Sequence, residues 1–111
     1  MEPPKNTPVP ATGDCNLDSY PVSKSAHDMI LDAQKNATAT GDGLLVKVVI
    51  DEKGNITHLR ILRLAFPTAP NTVALNEQAI DSVKKWHYKP TIFKGEPVSV
   101  CTEMAVNIDL Q

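Results

Sequence analysis

From residue 98 onward the chain alternates almost without a fault. Val98, Val100, Thr102, Met104, Val106, Ile108 and Leu110 fall on one side, and Ser99, Cys101, Glu103, Ala105, Asn107 and Asp109 on the other. A period of two marks a strand with one face on a core. The first set is therefore expected to face inward and Cys101 to point away from it. Residues 44–50, Leu-Leu-Val-Lys-Val-Val-Ile, are almost continuously apolar and β-branched, as a central strand covered on most of both faces would be. Residues 56–63 alternate less cleanly, with Leu59 and Ile61 on one face and His58, Arg60 and Leu62 on the other; the charges predict a guarded edge. Asp51-Glu52-Lys53-Gly54 joins these two runs as a short hairpin loop, with Gly54 taking a positive φ.

Helical spacing occurs twice. Ala26, Met29, Ile30, Ala33 and Ala37 form a small stripe behind Ser25 as N-cap. Ala79, Ile80, Val83 and Trp86 form a second stripe behind Asn76 as expected N-cap, and Lys84, Lys85 and His87 crowd its last turn before Pro90 forbids continuation. Pro67 and Pro70 make residues 64–72 a loop, and Gly95-Glu96-Pro97 reads as a turn. The order helix, strand, strand, helix, strand predicts an α+β domain: a three-stranded antiparallel-type sheet with two helices packed on one face. The last strand then lies beside the first, as an edge without proline, lysine or arginine after residue 98.

Such an edge offers unpaired backbone groups to an extended segment from another protein, the mode called β-augmentation. The competing reading is that the first helix, the N-terminal segment or a second copy of the domain, as a homodimer, covers it. Both stay open on the pattern alone.

Composition narrows the field. A formal charge of −2, from 11 basic and 13 acidic residues, supplies no cationic field for nucleic acid. No run approaches the roughly 20 apolar residues of a membrane-spanning helix. Residues 1–19 begin Met-Glu-Pro-Pro-Lys-Asn-Thr-Pro-Val-Pro, the character of a proline-rich linker, and residues 20–111 form the domain. The linker reads as the tail of something longer, whose anchor or export signal would precede Met1. Cys15 and Cys101, the only cysteines, are candidates for one bridge in an oxidising compartment, or else two unrelated thiols. His27, His58 and His87 lie in three separate elements without ligand spacing, and neither cysteine has an evident base. Neither a metal, a cofactor nor an enzymatic activity is expected.

In order along the chain come Tyr20-Pro21, Gly43 opening a strand, Val49-Ile50-Asp51 with Gly54, Leu75-Asn76-Glu77-Gln78-Ala79, and Val83-Lys84-Lys85-Trp86-His87-Tyr88-Lys89-Pro90. Gly95-Glu96-Pro97-Val98 completes the set. This series resembles the periplasmic C-terminal domain of the TonB family of energy transducers. The Trp86-x-Tyr88-x-Pro90 run, with the upstream Asp-x-x-Gly hairpin, is its most specific part. The resemblance implies a Gram-negative protein anchored in the inner membrane, with a proline-rich spacer and this domain in the periplasm. It also implies docking of the TonB box of an outer-membrane transporter beside the last strand, at Val98, Ser99, Val100, Cys101, Thr102, Glu103, Met104, Ala105 and Val106. Work would come from the ExbB–ExbD motor through the N-terminal anchor. Where the best-known members carry Gln-Pro-Gln before Tyr-Pro, this chain has Leu17-Asp18-Ser19. The alternative within the family is a structural or sensory interaction module of a larger envelope protein, without a transport role.

Overall fold

The computed structural model describes residues 19–36 and 43–108. Its elements are β1 (Tyr20–Pro21), α1 (Ala26–Asn36), β2 (Leu44–Ile50), β3 (Ile56–Arg63), α2 (Thr72–Val83), β4 (Thr91–Phe93), β5 (Glu96–Val98) and β6 (Val100–Val106). Ala37, Asp109, Leu110 and residues 1–18 of the expected linker, Cys15 among them, lie outside the described residues.

The α+β architecture is the expected one, but the sheet has four strands, in the order β1-β3-β2-β6, and β4 pairs with β5 as a separate ribbon. β2 is central and antiparallel to both neighbours, with Leu59 opposite Val48 on one side and Thr102 opposite Val48 on the other. β3 and β6 therefore run parallel to each other, as a crossover through α2 requires. Leu44, Val46, Val48 and Ile50 are buried while Leu45, Lys47 and Val49 are half-buried, so β2 is sealed on its helix-facing side and only partly covered on the other.

β3 solves a pattern problem. Ile56 and Leu59 are both buried although three residues apart, a spacing that strict alternation forbids. The register slips between Val49 and Ile50, which pair with His58 and Ile56, and the extra residue at Thr57 returns Ile56 to the core face. The expected edge character of β3 is corrected in part: Tyr20 pairs with Leu59, Pro21 with His58, and the Val22 amide donates to the Thr57 carbonyl at 2.9 Å. A two-residue strand ending at proline was below what periodicity can register.

α1 begins as its sequence predicts. The Asp28 amide donates to Ser25 Oγ at 3.1 Å, and Ala26, Met29, Ile30 and Ala33 are buried. α2 differs. It starts at Thr72, one turn earlier than expected, and Asn76 is not its N-cap but a fully buried residue inside it. The Asn76 side chain accepts from the Ala65 amide at 2.9 Å and donates to the carbonyls of Ala65 at 2.9 Å and Thr72 at 2.7 Å. An amide that satisfies a looping backbone satisfies the core's demand for paired polar groups, which outweighs its ordinary preference for helix ends. It fastens residues 64–72 to α2, and Leu64 and Ala65 are buried there.

Gly95 and Lys94 also correct an expectation. Both have positive φ, +82° and +51°, so Lys94-Gly95 is the two-residue turn, and Glu96-Pro97-Val98 is strand rather than turn. Two consecutive positive φ values give the hairpin turn whose twist matches its strands.

Candidate peptide-binding edge

The sequence motifs converge at the end of the sheet where β2 finishes and β6 begins. Asp51 Oδ1 accepts from the amides of Lys53 and Asn55, both at 2.9 Å, closing the β2–β3 loop. Those amides hold the carboxyl below its usual range, the Asn55 bond contributing most. Gly54 has φ +90°, and a Cβ on it would lie 1.8 Å from the Tyr88 carbonyl oxygen. The Tyr88 amide donates to the Gly54 carbonyl at 2.8 Å, and His87 Nδ1 lies 2.9 Å from Asn55 Oδ1. The Asp-x-x-Gly loop and the Trp-x-Tyr run, far apart in sequence, thus pair backbone to backbone.

Trp86 is 7% exposed and belongs to the core, and its Nε1 has no acceptor among the described residues. Tyr88 is buried too, and its hydroxyl donates to Met104 Sδ at 3.0 Å, bracing β6 from below. Burial pushes the Tyr88 phenol up to about 12. Tyr20 is held to α1: its hydroxyl donates to Asp32 Oδ2 at 3.0 Å, and Lys24 Nζ lies 3.8 Å from its ring centroid. The Asp32 bond is the main cause raising its phenol above the usual range. Pro90 is exposed, as is Gly95 in its turn.

β6 is the terminal strand of the four-stranded sheet among the described residues. Its inner row is as expected, with Val100, Thr102, Met104 and Val106 buried. Its seven residues, Val-Cys-Thr-Glu-Met-Ala-Val, run about 23 Å at 3.3 Å per residue. In an antiparallel pair alternate residues turn their N–H and C=O away from the partner strand. Val98 and Ser99 do not extend it: Val98 pairs with Thr91 in the ribbon, and Ser99 is an exposed link. On the outer face Glu103 and Ala105 are exposed, and Glu103 stands opposite Lys47, yet Cys101 between Val100 and Thr102 is only 6% exposed. No described cysteine is a free thiol.

The histidines stay apart. His27 Nδ1 lies 3.5 Å from Glu77 Oε2 across the two helices, and His87 bonds Asn55. Among the described residues no three His, Cys, Asp or Glu side chains group as metal ligands would, and no helix is long and apolar enough to cross a membrane.

Two helices against an antiparallel sheet, with β6 as its last strand among the described residues, define the class: a small α+β domain. The family of Gram-negative bacterial TonB protein C-terminal domains matches residues 33–109, and the chain belongs to it. The match begins inside α1, after Tyr20-Pro21. Domains of this family are periplasmic, non-enzymatic transducer domains of Gram-negative bacteria that interact with outer-membrane transporters. Comparison with curated proteins and with solved structures returned no match.

Proposed function

We propose that this domain binds the TonB box of an outer-membrane transporter by taking it as an added strand along β6. The observation that carries this reading is the place of β6 at the end of the sheet, seven residues long and without proline, lysine or arginine. The opposite edge is less suited to such pairing, since β3 carries Arg60 and Arg63 and is flanked by the proline-ended β1. Backbone hydrogen bonds supply affinity in this mode, and flanking side chains supply choice. When a strand is pulled along its own axis the bonds share the load, which suits the transmission of work from ExbB–ExbD through an inner-membrane anchor and the linker of residues 1–19.

Cys15 and Cys101 form a bridge in this account. Burial of Cys101 on the face away from the helices, where Glu103 and Ala105 are exposed, supports a covering partner there. The test of function is titration of 15N-labelled domain with a TonB-box peptide. Amide shifts centred on residues 98–106 are expected. Shifts that leave residues 98–106 unmoved, or none, would favour the structural or sensory module, and concentration-dependent loss of the same signals without peptide would favour a homodimer.

A further inference from the structure

The β4–β5 ribbon carries the most exposed large apolar side chains of the described chain: Ile92 is 59% exposed and Phe93 61%. Neighbours in a strand point to opposite faces, so exposure of both means the ribbon stands off the body of the domain. It does so without being loose. Lys94-Gly95 closes it with two positive φ values, Val98 packs against the core, and Tyr88 anchors its approach through Gly54. Opposite Ile92 stands Pro97, which makes one ribbon face wholly apolar at that position. Lys94 Nζ lies 5.4 Å from the Phe93 ring centroid.

Two further facts say what this surface meets. β5 leads through the single residue Ser99 into β6, so the ribbon adjoins the first residue of the last strand of the sheet. Lys53, Lys85, Lys89 and Lys94 are all exposed in the loops and turns at this end of the sheet, against Glu52 and Glu96 as exposed carboxylates. We propose that the ribbon is a second contact of the same site, receiving an aromatic or aliphatic side chain and a neighbouring carboxylate of the partner segment just beyond its strand-paired stretch. This rests on the reading of β6 as the docking edge. Backbone pairing along β6 is nearly blind to sequence, whereas an apolar and cationic contact beside it discriminates between partners.

The test uses two synthetic TonB-box peptides with the same pairing stretch, one flanked at both ends by Asp-Phe-Asp and one by Gly-Ser-Gly, against the domain and its Ile92→Ser/Phe93→Ser variant. Both substitutions are at exposed positions, and unchanged Trp86 emission checks the fold. The wild-type domain is expected to bind the acidic aromatic peptide about 10-fold more tightly, with the preference weakened by salt and reduced, down to its salt-sensitive part, in the variant, while affinity for the Gly-Ser-Gly peptide changes less than about 2-fold. Equal affinity of wild type for both peptides, or equal weakening of both by the variant, overturns the ribbon contact while leaving the edge intact. Absence of shifts at residues 100–106 with either peptide overturns the edge and the ribbon together. Should the variant change the sedimentation of free domain instead of peptide affinity, the ribbon meets a second copy and the proposal fails.

Discussion

Replacing Gly54 by alanine puts two separate costs on one atom. The Cβ would sit 1.8 Å from the Tyr88 carbonyl oxygen and 2.9 Å from its carbon, both backbone atoms that no rotamer change can move. The φ of +90° adds strain of about 1–2 kcal/mol for a residue with a side chain. Separating the strands to relieve the clash breaks the Tyr88-to-Gly54 hydrogen bond, worth a further ~0.5–1.5 kcal/mol net. The sum is about 1.5–3.5 kcal/mol, against a total of roughly 5–15 kcal/mol for a domain of this kind. At about 4–8 °C per kcal/mol the Tm should fall by about 6–28 °C. Gly95→Ala is the control, because Gly95 has φ +82° but nothing within 4 Å of its added carbon, and it should lose only the strain, about 1–2 kcal/mol. Thermal and urea unfolding followed by the emission of Trp86, the single tryptophan, measures both. Equal losses in the two variants would refute the close approach of the loop to Tyr88.

Asn76→Ala should cost about 1–3 kcal/mol in urea unfolding, because the buried Ala65 amide loses its acceptor while the Ala65 carbonyl keeps the Thr72 hydroxyl at 3.1 Å. A loss under about 0.5 kcal/mol would mean the loop does not depend on that side chain. The folded state holds the Tyr88 proton to about 12 while an unfolded tyrosine releases it near 10. Folding therefore binds a proton between those values, and stability must fall as pH climbs from about 10 to about 12. Tyr88→Phe should flatten that part of the urea midpoint curve, and an unaltered slope would contradict the burial argument. Thiol titration of unreduced protein should find no free cysteine, and two reactive thiols would remove the proposed Cys15–Cys101 bridge. Reduction should lower stability by at most about 4–5 kcal/mol, the chain-entropy ceiling for so long a loop.

The large features were legible because periodicity records which face is buried. The stripe from Ala26 to Ala33, the β2 run and the inner row of β6 all stand where alternation or helical spacing puts them. What escaped were choices made by contacts between distant segments. Asn76 is a strong capping type by local preference, and only the nearby loop at Ala65 makes it a buried clasp. β1 is two residues long and owes its conformation to β3. Ile92 and Phe93 carry a strand's composition, but the run is short, and the Pro97 and Gly95 beside it read locally as a turn. The terminal place of β6 follows topologically from a central β2. β6 starts two residues later than the alternation predicts, because Val98 keeps the alternation while pairing with Thr91 instead.

Isotope-filtered NOE spectroscopy on labelled domain bound to unlabelled TonB-box peptide tests the mode of docking most directly. Strand addition predicts a ladder of backbone contacts from the peptide to alternate residues of β6, from Val100 to Val106, with none to β3. Contacts made only by side chains, or a ladder running along β3, would contradict it.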